Sequence, residues 1–311
     1  MGGGVRVLLA TVATALTIAT VSGCGLGPGP GTANVTVTVT RDFGTARVGS
    51  ASEKRVPGSE TVMRMLERTF RVSTRYGGGF VESINGLSGS SSRTDWFYYV
   101  NGIEAPVGAA STAVHHGDRI WWDLHDWSAS QTIPAVVGSF PEPFVHGIGG
   151  KRLPTTIECG SGVASACKRV GSALSTAGVP VATQLIGTGS GTDSLAVVVG
   201  SWTELRGEIV AALVEHGPSS SGVYARFVGP GGRSLELLDP RGRVVRTLGA
   251  GAGLIAATAP GSAEPTWLIT GTDSAGVSVA AQALSAGRLR DHFAVVVQGG
   301  TDLPVPLEGA S

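Results

Sequence analysis

An Asn-Gly pair between two apolar runs constrains the fold of this chain more than any other short feature. Residues 95–103 read DWFYYVNGI. Both central residues of a type I′ turn need positive φ, which Asn101 and Gly102 tolerate. The pattern therefore predicts a β-hairpin with strands over 95–100 and 103–107.

The first strand of this hairpin carries aromatic rings on both faces. Side chains alternate along a strand, so one face holds Trp96, Tyr98 and Val100, and the other holds Phe97 and Tyr99. A tyrosine hydroxyl usually contacts water or a hydrogen-bond partner. This favours a groove along at least one face. The alternative is that the rings fill the core of a small domain, and the sequence leaves both interpretations open.

A second aromatic run follows over 117–127, GDRIWWDLHDW. The chain has 8 Phe, 6 Trp and 4 Tyr, and seven of these rings lie within 96–127. Alternation predicts that Asp123 and His125 lie on an exposed strand face. The two runs together predict a recognition surface for a flat or partly apolar ligand, made by Trp96, Tyr98, Tyr99, Asn101, Gly102, Trp121 and Trp122.

The first residues have the pattern of a bacterial lipoprotein signal. Arg6 precedes the apolar stretch VLLATVATALTIATV, which is short for a membrane span, and Val-Ser-Gly-Cys follows. This end resembles the lipobox, in which the cysteine is acylated. We therefore expect a signal peptide over 1–23, lipidation at Cys24 and a Gly/Pro-rich tether over 24–33. An ordinary signal peptide is the alternative.

Charge and export narrow the class of protein. The chain has 23 basic and 23 acidic residues, and no basic stripe, which argues against nucleic acid as a partner. A lipidated Cys24 predicts an extracytoplasmic location, anchored to the bacterial cell membrane. With Cys24 acylated, Cys159 and Cys167 remain, and in an exported protein we expect them to form a disulfide. A redox or metal pair is the alternative, but the spacing is not C-x-x-C.

Residues 34–128 predict a compact α+β unit. VTVTVT over 35–40 alternates strictly and predicts a strand. The run PGSETVMRMLERTF predicts one amphipathic helix that Ser59 can cap. Several strand patterns follow it. One helix on a small sheet is close to a β-grasp.

This stretch resembles a known family. The run from VTVTVT through FVESINGL, DWFYYVNG and GDRIWWDL is similar to the transcobalamin-like C-terminal domain family, found in bacterial surface proteins and in vertebrate cobalamin carriers. The aromatic strand ending in VNG and the later GD-x-x-W are the most specific matches. The resemblance implies cobalamin or another corrinoid as the ligand. In the cobalamin carriers the domain closes over the corrinoid against a large helical domain, and this sequence shows no such domain.

The rest of the chain has a different composition and a different pattern of predicted elements. Residues 129–153 are rich in Pro and Gly and predict a linker that serves as a hinge. Residues 154–311 predict a second, layered α/β domain. Within it, LAVVVGS and TWLITGT each precede an Ala-rich helix pattern, which is a weak βα repeat.

Motifs that carry chemistry are scarce in the sequence. It contains no G-x-S-x-G, H-E-x-x-H, C-x-x-C or P-loop. Gly187–Gly191 predicts a strand connection rather than a phosphate loop. The run from His115 to Asp126 contains His and Asp residues that could bind a metal. A polar turn and an exposed strand face explain them better, so we assign no metal site.

These observations favour a lipid-anchored binding protein that is not an enzyme. Its aromatic hairpin domain would recognise a small ligand by contact, and the second domain would supply the opposing wall. The alternative is a structural or adaptor lipoprotein that contacts a transporter or another envelope protein. A hydrolase that uses the α/β domain is a third interpretation.

Overall fold

The structure, a computed structural model, describes residues 1–2, 31, 33–90 and 92–308. The predicted lipidation site Cys24 and most of the predicted signal peptide and tether lie outside these residues. The described chain is α+β, as predicted. None of its described helices is long and apolar enough to cross a membrane.

The N-terminal unit is one helix on a mixed sheet. Its elements are β1 (Val35–Arg41), β2 (Ala46–Glu53), α1 (Val62–Thr69), β3 (Val72–Arg75), β4 (Phe80–Ile84), β5 (Leu87–Ser88), β6 (Thr94–Val100), β7 (Ile103–Glu104) and β8 (Arg119–Asp126). The main sheet has the strand order β2-β1-β8-β6-β7, with β1 parallel to β8. Strands β3, β4 and β5 form a small sheet beside it.

Alternation and amphipathicity explain this packing. The valines of β1 are fully buried and face α1, while Thr36 and Thr38 face the other way and are partly exposed. Helix α1 buries its apolar side against the valines. Its N-cap is Thr61, which accepts a bond from Arg64 N–H at 3.3 Å. Ser59, the predicted cap, lies two residues earlier because the helix begins later than the pattern indicated.

The Asn-Gly turn forms as predicted. Strands β6 and β7 are antiparallel, and Asn101 and Gly102 between them have φ of 54° and 77°. Strand β7 ends at Glu104, because the chain then turns away through Pro106. The local turn chemistry therefore defines this corner of the sheet.

The C-terminal unit is built on a seven-stranded sheet. Its elements are β9 (Thr155–Cys159), α2 (Ala164–Thr176), β10 (Val181–Leu185), β11 (Leu195–Ser201), α3 (Trp202–Leu205), α4 (Ile209–Glu215), α5 (Pro218–Ser221), β12 (Ala225–Val228), β13 (Ser234–Leu238), β14 (Val244–Leu248), β15 (Gly253–Thr258), β16 (Thr266–Gly271), α6 (Ser274–Ala283), α7 (Ala286–Leu289), β17 (Ala294–Gln298) and β18 (Thr301–Val305). The sheet order is β10-β9-β11-β16-β15-β17-β18, and β9, β10, β11 and β16 are parallel. The predicted βα repeat corresponds to β11-α3-α4 and β16-α6.

The two faces of this large sheet contact different layers. On one face, Val197 and Ile269 pack with helices α2 and α6. On the other face, Val198 and Leu268 belong to a core that also contains the small sheet β12-β13-β14. That second core extends into the N-terminal unit, where it includes Tyr99 and Trp121. A strand buried on both faces explains why the sequence shows continuous apolar runs here.

The segment 129–153 is packed into the protein, which contradicts the expected hinge. Val136 N–H donates to Gly102 O at 2.8 Å, and Val137 N–H donates to Phe293 O at 3.1 Å. Val136 belongs to one core and Phe140 to the other. The segment contains apolar side chains between its prolines and glycines, and burying them outweighs the flexibility that the composition indicated.

The disulfide between Cys159 and Cys167 is confirmed. It joins the end of β9 to α2 across a sequence separation of 8. Replacing both cysteines by serine should lower the free energy of unfolding by about 2–3 kcal/mol, because the unfolded chain regains the entropy of a short closed loop. Urea unfolding followed by circular dichroism measures this. Dithiothreitol added to the unchanged protein should give a similar loss, and an unchanged midpoint in both experiments would contradict the prediction.

Candidate functional site

The predicted aromatic residues lie on both faces of the strand pair β6-β8. Trp96, Tyr98 and Trp122 face α1 and are 8%, 9% and 2% exposed. Tyr98 stacks on Trp122, with ring centroids 4.8 Å apart. Its hydroxyl donates to Val107 O at 2.5 Å and lies 2.7 Å from Thr112 Oγ1. Burial raises the pKa of Tyr98, so this hydroxyl stays protonated.

These three rings form the back of an open groove of about 350 Å³, which we call the aromatic groove. The loop 105–109 borders one side, and the start of β4 borders the other. The larger side chains that line it include Met63, Phe80, Trp96, Tyr98, Val107 and Trp122. Phe80 and Val107 are 62% and 53% exposed. The groove therefore joins a rigid, buried back wall to an exposed apolar rim.

The rim continues in a pair of exposed rings. Tyr76 is 84% exposed and meets Phe80 edge to face, with centroids 5.9 Å apart. Residues 77–79 between them are all glycine, and Gly77 and Gly78 have φ of 69° and 95°. Only glycine adopts such values at little cost, so the three glycines let the chain reverse and bring the two rings together. Neither ring was predicted as part of a site from the sequence, although an aromatic residue on each side of Gly-Gly-Gly is a visible signal.

The two acidic side chains in the groove accept hydrogen bonds from backbone N–H groups. Asp95 Oδ1 accepts the Trp96 N–H at 2.8 Å. Glu104 Oε2 accepts the Ile133 N–H at 2.8 Å. Burial raises the pKa of Glu104, and the bond from Ile133 opposes this. Both carboxyl groups therefore position backbone, and the named side chains that form the back wall and rim of the groove are mainly apolar.

Tyr99 and Trp121 lie on the opposite face and are inside the protein, which corrects the prediction that they form part of a surface. They are 0% and 3% exposed. Phe293 of the C-terminal unit packs edge to face on both rings, with centroids 5.7 Å and 5.2 Å away. The physical reason is that the C-terminal unit covers this face. The core interpretation therefore holds for Tyr99 and Trp121, and the buried rings on the α1 side are core residues as well as lining the groove.

Asn101 and Gly102 are also structural. Asn101 is fully buried, and its Nδ2 donates to Asp118 Oδ1 and Gly147 O, both at 2.9 Å. A Cβ on Gly102 would lie 2.8 Å from Val136 O. The turn thus holds the segment 129–153 rather than a ligand, because its polar groups are already satisfied within the protein.

Asp123 and His125 are buried, where the alternation predicted an exposed face. They are 0% and 2% exposed, and His125 Nδ1 lies 2.9 Å from Asp123 Oδ1. Asp123 also accepts bonds from Thr40 Oγ1 at 2.5 Å and from the N–H groups of Phe43 and Gly44 at 3.0 and 2.9 Å. The same C-terminal covering that buries Trp121 explains the difference. Within the described ranges, no group of three or more His, Cys, Asp or Glu side chains is placed to hold a metal ion.

Comparisons with known proteins bear on the N-terminal unit. A family model described as a domain of unknown function (DUF4430) matches residues 59–126. No curated protein matches the chain.

Two crystal structures are similar to part of the chain. One is a protein from Ruminococcus gnavus, provisionally described as metal binding, with 18% identity over 30% of this chain and 97% of that chain, at a TM-score of 0.25. The other is haptocorrin in complex with Cbi, with 18% identity over 30% of this chain and 25% of that chain, also at 0.25. At these scores neither likeness says what this chain binds.

Proposed function

We propose that this chain is a lipid-anchored envelope protein that binds a small, flat and partly apolar ligand in the aromatic groove, by contact rather than catalysis. Acylated Cys24 would hold it at the extracytoplasmic face of the membrane. Its N-terminal unit, which we interpret as a β-grasp-like domain, would carry the binding site. The first ligand to test is a corrinoid, cobalamin or cobinamide.

The observation that carries this proposal is the exposed apolar rim on a preformed groove. Leaving Phe80 and Val107 in water costs free energy that a bound ligand would recover by covering them. The hydrogen bonds of Tyr98 and the packing of Trp96 hold the back wall in place, so little order remains to be created on binding. The exposed Tyr76 supplies a further ring beside the rim.

The size of the groove limits how a corrinoid would bind. About 350 Å³ is near the lower end of small-ligand sites, which span about 300–1,000 Å³. One edge of the macrocycle would therefore enter the groove and contact Phe80 and Val107. The C-terminal unit would not supply the opposing wall, because it covers the face of the sheet that carries Trp121.

Tryptophan fluorescence and calorimetry with residues 25–311 test the corrinoid assignment. We expect saturable quenching, corrected for absorption by the corrinoid, and a matching heat with cobalamin and with cobinamide. Phe80→Ala should weaken binding roughly tenfold, as loss of an aromatic contact residue does. Leu185→Ala is the control, since Leu185 is 72% exposed on β10, in the C-terminal unit. This variant should bind both corrinoids with unchanged affinity.

The adaptor alternative rests on the same exposed rim and makes the opposite prediction. If neither corrinoid produces heat, the corrinoid assignment is overturned, and Tyr76 and Phe80 become candidates for contact with an envelope protein. Photo-crosslinking from position 80 in intact cells would then trap a protein partner. Equal weakening by Leu185→Ala and Phe80→Ala would contradict binding in the groove.

A further inference from the structure

A second cleft lies between the two units, on the face of the first sheet away from α1. It measures about 530 Å³. Strands β1, β2 and β8 form its floor, and residues 138–139 and 290–291 form its far wall. We call it the polar cleft. Its lining includes Thr36, Thr38, Arg47, Ser50, Arg119 and Arg290.

The floor presents hydroxyl groups that the fold does not need for its own packing. Thr38 pairs directly with Ser50 across the β1-β2 ladder, and Thr36 pairs with Ser52. Directly paired residues point to the same side of a sheet, so the four hydroxyls form a compact array. Among the described residues none of them takes part in a side-chain hydrogen bond. Thr36 and Thr38 therefore offer free donors and acceptors at partly exposed positions.

Arginine side chains lie close to these hydroxyl groups in the lining of the cleft. The parallel register places Arg119 beside Thr36. Arg119 Nη1 donates to Ser139 O and Phe140 O at 3.2 and 3.1 Å, and its Nη2 group has no hydrogen-bond partner among the residues that the structure describes. On the far wall Arg290 is exposed, and no ion pair in the described part of the chain uses it.

The charge of the cleft is positive. Arg47 pairs with Asp291, and Glu142 lies behind Arg119 with its carboxyl oxygen 3.9 Å from Nε. Asp291 offsets one of the three guanidinium charges in the lining. Buried Glu142 offsets part of the charge of Arg119. The charge of Arg290 is not offset by an ion pair among the described residues, and this side chain is exposed.

We propose that the polar cleft binds a phosphate ester of a polyhydroxylated compound. The free guanidinium donors of Arg119 and Arg290 match the oxygens of a phosphate group, which arginine binds through paired N–H donors. The threonine and serine hydroxyls match the hydroxyls of a sugar or polyol. The cleft and the aromatic groove lie on opposite faces of the sheet, so this site is independent of the function proposed above.

Calorimetry on the full chain in non-ionic detergent, with glucose 6-phosphate as the probe, tests this proposal. We expect saturable binding to glucose 6-phosphate, weaker binding to inorganic phosphate, and none to glucose. Arg290→Gln should weaken binding about tenfold, since one charge-assisted contact is lost. Thr38→Val, which keeps the shape of the side chain but removes the hydroxyl, should weaken glucose 6-phosphate binding without changing that of inorganic phosphate.

Arg246→Gln is the matched control, because Arg246 is exposed on β14, away from the cleft. It should leave affinity unchanged. The proposal is overturned if glucose 6-phosphate gives no heat, or if Arg246→Gln weakens binding as much as Arg290→Gln, which would indicate general charge attraction. Thermal unfolding shows whether each variant is folded. If Arg290→Gln proves to be unfolded, the affinity of Thr38→Val for glucose 6-phosphate still tests the proposal.

Discussion

Trp121→Ala should lower the free energy of unfolding by about 3–5 kcal/mol, the cost typical of removing a large buried ring. Trp121 is 3% exposed, between Tyr99 of the N-terminal unit and Phe293 of the C-terminal unit. Its indole N–H also donates to Thr40 Oγ1 at 2.7 Å. The alanine variant would leave a cavity at the place where the two units share one core, and neither unit can close it alone.

Urea unfolding followed by circular dichroism measures this loss. Tyr76→Ala is the matched control, since that ring is 84% exposed and its removal should change the unfolding free energy by no more than about 0.5 kcal/mol. Trp121→Phe should fall between the two, because it keeps a ring but loses the indole donor. A loss for Trp121→Ala as small as that of the control would mean that the two units do not share a core.

The second large loss of stability is expected when Asp123 is replaced. Asp123→Ala should destabilise the protein by about 3–5 kcal/mol, because buried donors that now bond the carboxylate would be left without a partner. These donors are the N–H groups of Phe43 and Gly44 and the hydroxyl of Thr40. His125 would lose the group that lies 2.9 Å from its Nδ1.

The isosteric change Asp123→Asn separates hydrogen bonding from packing. Its amide oxygen can accept one or two of these bonds, so it should recover part of the stability that the alanine variant loses. Thermal and urea unfolding of both variants give the comparison. If asparagine and alanine cost the same, the carboxylate is not acting as the common acceptor of the β1-β2 turn.

Local sequence chemistry predicted the elements of this fold well. The Asn101-Gly102 pair requires positive φ at both residues, and the hairpin forms there. The alternation over 35–40 gives the buried valines of β1 and the partly exposed Thr36 and Thr38 on its other face. The strand-to-helix units of the C-terminal half follow from short-range patterns. The disulfide follows from the cysteine count, because Cys159 and Cys167 are the two that remain when the predicted lipidation site Cys24 is set aside.

The candidate site was only partly predictable. Trp96, Tyr98 and Trp122 are core residues that also line the back of the aromatic groove, and their contact with a ligand stays a prediction. Tyr99 and Trp121 do not line this groove, because rings on both faces of a strand do not reveal which face another part of the chain will cover. Asp123 and His125 were expected to be exposed for the same reason.

The sequence by itself determined where strands, turns and the helix of the N-terminal unit form, because backbone preferences and side-chain periodicity act over a few residues. The tertiary structure alone decided which surfaces remain available. Phe293 lies far along the chain from Trp121, yet it covers that ring, and the segment 129–153 packs into both cores because its apolar side chains find partners there. Burial depends on what the rest of the chain brings into contact, so the exposed rim at Phe80 and the polar cleft at Arg290 emerge only in the folded protein.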